Sequence, residues 1–384
     1  MGLGHKRRNL LVAQSLVRHL SNCSVLLITG MVEANDAHLP LGIDYLALPA
    51  WHKTADGEYQ SRRLSLSQRE LAQLRGNIIC SALDSFKPDV FLVDNVPRGA
   101  LRELDEVLEF LQTQQTRCVL GLRDIIDDPA VVRRQWQQAG NEAAVRRYFD
   151  AIWVYGDPAV YDPVRAYRWP ADIAAKARYV GYLDGQQRLA AAGPPAFVPA
   201  ADRPLALCLV GGGQDGAAIA TAFAQTTLPQ GWQGVLVAGP LMPKTARQWL
   251  HRQAAQRSED LKVFDYCPEP AWLLKQATAV VAMGGYNTTC EVLSFGCRAL
   301  IVPRVKPRQE QWIRAERLQQ LGLVDMLHPD EISPETLSQW LASDDQPAIR
   351  RLGRDRIDLR GLDRMPYLLS EVIAASDAPQ LVAS

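Results

Sequence analysis

Continuous apolar runs and spaced apolar stripes take turns along this chain, and the switches between them mark out its elements. Leu10, Ala13, Val17 and Leu20 recur at intervals of 3, 4 and 3, which draws one apolar stripe along a helix. Val25 to Ile28 then predicts a strand stopped by Gly30, followed by a strand at Ile43 to Leu48 and a helix through Leu71, Leu74 and Ile78. Lys87-Pro88 introduces Val90 to Val93, a run of the kind a parallel strand buried on both faces requires. A helix from Leu101 to Leu111, a strand from Cys118 to Leu122, a helix around Asn141 to Tyr148 and a strand from Ile152 to Tyr155 continue the series. Such alternation predicts a parallel sheet covered by helices on both faces.

From Gly185 to Pro204 the chain turns rich in Ala, Gly, Pro and Gln, the chemistry of a linker, and a second series then starts afresh. It holds strands at Leu205 to Val210, Val235 to Val237, Val263-Phe264, Ala279 to Ala282 and Ala299 to Val302. Helices are expected at Ala217 to Ala224, Glu291 to Phe295 and Gln311 to Leu321, and a last amphipathic helix around Leu368, Leu369, Val372 and Ile373. The expected fold class is therefore α/β, with two Rossmann-like, doubly wound parallel-sheet domains. Their expected bounds are residues 1–184 and 205–365, with a linker at 185–204 and a C-terminal helix and tail at 366–384.

A length of 384 residues suits two domains, each able to bury a core, and 47% hydrophobic with 22% charged residues describes a folded globular protein. Lys plus Arg equals Asp plus Glu at 42 each, so no global field draws the molecule to nucleic acid, and any basic site must be local. The 7 cysteines are scattered, mostly inside apolar runs, and form no CxxC pair, nor is there an HxxxH pair. Reduced packing is expected rather than disulfides or a metal site. No run of 18 apolar residues occurs, and the basic His5 to Arg8 is followed by an amphipathic helix rather than by a signal-peptide core. A cytoplasmic protein is expected.

Gly2-Leu3-Gly4-His5 is the kind of turn that leaves a strand and enters a helix, yet Met1 alone stands before it. In a doubly wound sheet the strand feeding that turn is central, so its absence opens a slot in the sheet. The expectation is that Met1 is an internal methionine, preceded by about five to eight apolar β-formers.

Three later segments carry chemistry. In Leu209 to Gly216 a strand runs into Gly211, Gly212 and Gly213, where a backbone without side chains lets a phosphate or sugar approach. In Ala282 to Glu291 a buried strand ends on Gly284-Gly285, and Asn287 or Thr288 is placed to cap the next helix, aiming amides and the positive dipole end at a diphosphate. Glu291 falls one turn deeper than Asn287 on the same face, where a carboxylate can accept two hydrogen bonds from a ribose diol. In Leu300 to Gln311 a strand ends at Pro303, and Arg304, Lys306 and Arg308 offer cations for phosphate while Gln309, Glu310 and Gln311 offer partners for sugar hydroxyls.

These segments resemble the C-terminal domain of family 28 glycosyltransferases of the GT-B fold, over residues 205 to 325. The parallels are Gly284-Gly285 through Glu291, then Pro303 and Gln311-Trp312-Ile313-Arg314-Ala315, while Gly2-Leu3-Gly4-His5 followed by Arg8 is similar to the family's Gly-rich loop. Arg314 stands where the family has Asn, and Lys306 and Arg308 where it has His and Asp, which bears on the donor sugar. The resemblance implies two domains facing a cleft, an N-terminal acceptor-side domain and a C-terminal one that holds a UDP-sugar. It also implies an aromatic over the uracil, near Phe264 or Tyr266. Sugar transfer to an acceptor hydroxyl by a single inverting displacement is implied as well. No DxD follows a strand at a place suited to a divalent cation, so a metal-independent reaction with no cofactor is expected.

His5 is the candidate base, because an imidazole of near-neutral pKa can take the acceptor's proton; Asp94, Asp124 and Asp127 at other strand ends are its rivals. The partners expected are a nucleotide-sugar donor, UDP or TDP, and an acceptor whose identity stays open, a lipid-linked or membrane-associated one included. Peripheral association at the inner face of a membrane stays open with it. Two other functions fit the same pattern: a UDP-sugar 2-epimerase, and a non-catalytic nucleotide-sugar-binding protein. A dehydrogenase does not fit, since Gly2-x-Gly4-x-x-Arg7 lacks the third glycine.

Overall fold

Three sheets, two parallel and one a short antiparallel hairpin, rather than the single one expected, organise the described N-terminal part of the chain in the computed structural model, which describes residues 3–30, 39–53, 59–190, 193, 197–257, 259–343 and 356–374. The chain divides into two units, the first of Met1–Pro158, Asp162–Tyr182 and Arg360–Ser384 and the second of Ala159–Tyr161 and Leu183–Leu359.

In the first unit, helix α1 (Leu3–His19) leads into β1 (Val25–Thr29), which pairs in parallel with β2 (Ile43–Ala47). A short antiparallel hairpin of β3 (Trp51–Lys53) and β4 (Tyr59–Ser61) follows. Helix Gln68–Phe86 is set by a capping box, in which the Ser67 hydroxyl accepts from Glu70 N–H and Glu70 reaches back to Ser67 N–H. Next comes a four-stranded parallel sheet in the order β5 (Val90–Asp94), β6 (Arg117–Arg123), β7 (Ala151–Tyr155), β8 (Ala177–Tyr179). Every residue of β7 is buried and so are the five central residues of β6, whereas β1 is half-buried throughout and β5 in all but Val93. The contrast follows from a cavity of about 750 Å³ that β1 and β5 both line.

The second unit is one six-stranded parallel sheet, ordered β11-β10-β9-β12-β13-β14. Its strands are β9 (Leu205–Leu209), β10 (Gln233–Val237), β11 (Leu261–Phe264), β12 (Ala277–Ala282), β13 (Arg298–Ile301) and β14 (Asp325–Met326). One apolar layer runs from Ala206 and Cys208 through Phe223, Leu236 and Val281 to Leu337 and Leu341, all 2% exposed or less.

Two boundaries differ from the sequence reading. Gly185–Ala190, assigned to the linker, is a turn of 3-10 helix inside the second unit, where Gly185 N–H donates to the Ser294 hydroxyl at 2.9 Å. The last helix begins at Gly361 rather than 366 and belongs to the first unit, because Leu362 and Met365 are fully buried and the Ser15 hydroxyl donates to Leu362 C=O at 2.7 Å.

A buried ion pair anchors the hairpin. Arg75 donates to both Glu103 carboxylate oxygens at 2.5 and 3.1 Å and to Pro49 C=O at 2.6 Å, and Trp51 Nε1 donates to Glu103 at 2.9 Å. Neither charged side chain is more than 7% exposed. Removing one partner of such a pair strands the other's charge, so Glu103→Ala should lower stability by about 3–5 kcal/mol in urea unfolding, and Glu103→Gln by less.

Candidate functional site

The three chemistry-bearing segments of the second unit come together because their strands are neighbours. β12 pairs in parallel with β9 on one side and β13 on the other, so the turns after Leu209, Ala282 and Ile301 leave the same edge of the sheet side by side. Between β9 and β12 the order of winding reverses, and the crevice at such a reversal is where open α/β sheets take ligands.

The turn after β12 is the most constrained. Gly284 has φ +74°, and a Cβ there would stand 2.6 Å from the Ile301 side chain. Gly285 differs, since it is the N-cap of helix Tyr286–Phe295 with ordinary extended dihedrals and open space where a Cβ would project. The helix thus starts at Tyr286, its cap lying two residues ahead of Asn287 and three ahead of Thr288, both of which fall inside its first turn. The reason is that Gly285 already carries the extended N-cap conformation, and its C=O accepts the first helical bond from Thr289 N–H at 2.9 Å. Gly285, lacking a side chain, contributes no cap of its own. Beneath the turn, Arg314 is fully buried, donates to Gly284 C=O at 3.3 Å and sits 5.6 Å from the centroid of the Tyr286 ring. Sequence reading placed Arg314 as a departure near the sugar; the structure uses it to hold the diglycine turn.

Glu291 is 4% exposed, and its side chain packs against Gly185, where a Cβ would lie 2.9 Å from its Cγ. On the first turn, after β9, Gly211 has φ +61° and nothing within 4 Å of a would-be Cβ, and Gly212 is exposed. Gly213 has φ +87° and faces Ala238 C=O so closely that a Cβ would lie 2.3 Å away. Gly213 is therefore required by packing, and Gly211 and Gly212 are the ones open to a ligand.

The basic loop is divided. Arg304 pairs with Asp215 of the first turn at 3.0 Å and with Glu310 at 2.7 Å, and its N–H donates to Gln311 Oε1 at 3.0 Å. Arg304, Glu310 and Gln311 thus form a brace tying the first turn to the third, a role that residue type alone did not signal. Among the described residues, neither Lys306 nor Arg308 has a carboxylate partner, so both charges remain available to an anion. Phe264 ends β11 with its ring 5.2 Å from that of Phe197, while Tyr266 is 44% exposed.

In the first unit His5 lies in the first turn of α1 rather than on a loop, since the helix already runs from Leu3. Its Nδ1 is 2.7 Å from Asp94 Oδ2, at the end of β5. Arg8, one turn on along the same helix face, donates to both Asp94 oxygens at 2.5 and 2.7 Å, and Asn9 adds a bond at 3.3 Å. Burial pushes the Asp94 carboxyl up, but the Arg8 guanidinium and the His5 bond outweigh it and hold the group ionised, well below the usual carboxylate range. For His5, burial lowers the pKa more than Asp94 raises it, with Arg8 and Arg123 adding to the lowering. Lowering favours the neutral imidazole, whose Nδ1 also lies 3.0 Å from the Arg8 guanidinium. Two former rivals, His5 and Asp94, form one unit. Asp124 stands apart, fully buried, accepting from Tyr182 Oη at 2.9 Å and from Ile125 N–H at 2.8 Å, and Asp127, 5% exposed, accepts from Asp128 N–H at 2.9 Å.

Known proteins match parts of this arrangement. The glycosyltransferase family 28 C-terminal domain matches residues 208–354. The match covers part of the chain, whose fold is of the GT-B type. A relative from Vibrio atlanticus (strain LGP32), UDP-N-acetylglucosamine--N-acetylmuramyl-(pentapeptide) pyrophosphoryl-undecaprenol N-acetylglucosamine transferase, is 22% identical over 218 residues. That match covers 53% of this chain and 62% of the relative, so the chain spans less than two thirds of its length. Among solved structures, the calicheamicin glycosyltransferase CalG4 is similar over 100% of this chain and 97% of its own, with TM-score 0.62 and 16% identity. A UDP-N-acetylglucosamine 2-epimerase homologue from Listeria monocytogenes is similar over 97% and 94%, with TM-score 0.62 and 12% identity. At these identities the structures establish the fold, which hosts both chemistries. The matched family 28 region takes in all three turns described above.

The two glycines of the central turn should separate fold from binding. Gly284→Ala, forced to positive φ against Ile301, is expected to cost at least about 1–2 kcal/mol of stability in thermal unfolding. Gly285→Ala should cost no more than about 1 kcal/mol while weakening UDP affinity, measured by calorimetry, about ten-fold.

Proposed function

We propose that the protein transfers a sugar from a nucleoside-diphosphate donor, UDP by preference, to an acceptor hydroxyl. The observation that carries this is the glycine N-cap at Gly285, which opens helix Tyr286–Phe295 at the winding reversal of a region matching a family 28 domain, on the sheet edge that also carries Lys306 and Arg308. In this reading the first-turn amides and the helix dipole receive the diphosphate, Gly211 and Gly212 let it approach, and Lys306 and Arg308 meet the charge that develops as it leaves. Glu291 serves the ribose diol and Gln311 holds the loop that borders the sugar. Thr288, Asn287, Gly213 and Phe264 shape the same site, and Tyr266 is the exposed aromatic placed to cover the base.

His5 Nε2 takes the acceptor hydroxyl's proton as the oxygen attacks the anomeric carbon. The new C–O bond forms as the bond from that carbon to the diphosphate oxygen breaks, and UDP departs with the bonding pair, inverting the centre. Asp94 keeps the imidazole in the Nδ1–H tautomer and stabilises the imidazolium that results. Neither step calls on a metal. The Vibrio relative's name specifies an undecaprenol-linked acceptor, and a lipid-linked acceptor, met at the inner face of a membrane, is our reading for this chain too. No helix among the described residues is long and apolar enough to cross a membrane.

Incubation with UDP-sugars and a lipid-linked acceptor, followed by measurement of UDP release, tests the reading. Acceptor-dependent UDP is expected, whereas conversion of the donor into a second UDP-sugar without acceptor would establish the epimerase instead. For the base, His5→Ala should lower kcat by about 10²–10⁴-fold with UDP affinity changed less than two-fold. Because His5 titrates below its ordinary value of 6.5, kcat/KM should be level through pH 7 and fall about ten-fold per unit on the acid side of the lowered pKa. Asp94→Asn removes an influence that raises that pKa, so the acid limb should move to lower pH.

A further inference from the structure

Glycine at 185 is explained by its neighbour rather than by its own backbone. Its φ lies outside the left-handed region, so a residue with a side chain could take up the same dihedrals. What excludes a side chain is helix Tyr286–Phe295. A Cβ at 185 would stand 2.9 Å from Glu291 Cγ, 3.2 Å from its Cα and 3.5 Å from its Cβ. The turn is also tied to the same helix one turn on. Gly185 N–H donates to the Ser294 hydroxyl at 2.9 Å, and Gln186 Nε2 donates to Ser294 C=O. Ser294 is fully buried, and Glu291 and Ser294, three positions apart, share one helix face. Farther along, Arg188 donates to both Glu269 oxygens at 2.9 and 3.1 Å, with neither side chain more than 17% exposed. Glu269 in turn accepts from Ala271 N–H at 3.3 Å, at the start of helix Ala271–Gln276. Gly185–Ala190 is thus clamped at two points within the second unit, and the first clamp bears on Glu291.

We propose that Gly185 is a positioning residue for ribose recognition: it holds the Glu291 side chain where the carboxylate meets both hydroxyls, and so sets a preference for a ribonucleotide donor over its 2′-deoxy counterpart. The inference rests on the reading in which Glu291 serves the ribose diol. A helix directs its side chains back toward its own N-terminus, and for Glu291 that direction leads toward Asn287 and the Gly285 turn, at the sheet edge. The preceding turn leaves such a side chain two staggered χ1 wells. Gly185 stands beside Cγ, the atom that changes place between these wells. A methyl group there would drive Cγ away and carry the carboxylate with it. Burial adds to the constraint, since Glu291 is only 4% exposed. A carboxylate that accepts from two vicinal hydroxyls must meet both at hydrogen-bond distance at once, so a shift of ~1 Å loses at least one of the two bonds. The diphosphate is held by amides of the glycine turns, which Gly185 does not touch. Ribose reading should therefore fail while the rest of the nucleotide binds as before.

Calorimetric titration with UDP and with 2′-deoxy-UDP tests this on the 384-residue chain and on three variants of it. The unaltered protein should bind UDP at least about ten-fold more tightly than 2′-deoxy-UDP, the effect of one hydrogen bond to a charged acceptor. Glu291→Gln, which keeps the size and removes the charge, should lower that ratio at least about three-fold. Gly185→Ala should bring the ratio to about two or less by weakening UDP alone, with the affinity for 2′-deoxy-UDP changed less than about two-fold. Ser294→Ala, which releases the turn without adding bulk, should move the ratio the same way by a smaller amount. A purely structural role for Gly185 gives a different pattern, in which both nucleotides weaken alike and the ratio holds. That pattern, with Glu291→Gln still lowering the ratio, would overturn the positioning role and leave the ribose contact standing. A ratio near one in the unaltered protein, or one that Glu291→Gln leaves unchanged, would overturn the ribose reading and this inference with it. Should Gly185→Ala not fold, Ser294→Ala decides, and an unchanged ratio there would overturn the proposal.

Discussion

Buried peptide groups must find partners, and in a parallel sheet that requirement dictates where everything else can go. Every strand pairing in the second unit is parallel, so the connections after β9, β12 and β13 all emerge at one edge. There the ladder ends and the following helices begin, leaving amides that no helical carbonyl can satisfy. Glycine at 211, 212, 284 and 285 keeps side chains away from those amides. The same rule acts in reverse in the first unit, where two half-buried strand edges face a cavity between apolar helices.

Charge is distributed according to the same logic of engagement. Arg8, Arg75, Arg304 and Arg314 are all drawn into the protein, onto Asp94, Glu103, the Asp215 and Glu310 pair, and the Gly284 carbonyl respectively. Each fixes the geometry of a turn or a helix start. Lys306 is exposed and Arg308 half-buried on the same loop that carries Arg304, so one short basic segment contains both a cation paired within the protein and two that have no carboxylate partner among the described residues. Arg8 has a second effect. Its guanidinium holds Asp94 ionised beside the imidazole of His5.

Most of the architecture was legible in the residue pattern because parallel strands buried on both faces must be continuously apolar. Val90 to Val93, Cys118 to Leu122 and Leu205 to Val210 announce themselves for that reason. Short, half-exposed elements such as the β3–β4 hairpin and β14 carry no such run and were not anticipated. The diglycine turn could be read from the chain because positive φ and close approach restrict the residue type strongly. The helix start one residue later could not, since either Gly285 or Asn287 satisfies the preferences of an N-cap and only the backbone dihedrals choose between them.

From the sequence alone came the succession of strands and helices, the division into two units, the glycine turns and the list of candidate acids, bases and cations. These are local properties, set by periodicity, backbone sterics and side-chain chemistry within a few residues. Tertiary structure alone decided which candidates meet. His5 and Asp94 are 89 positions apart and bond at 2.7 Å, Arg304 reaches Asp215 across the same sheet edge, and Asp124 is fully buried against Tyr182. Strand order brings such residues together, and it is set by the burial of whole faces rather than by any short stretch of chain.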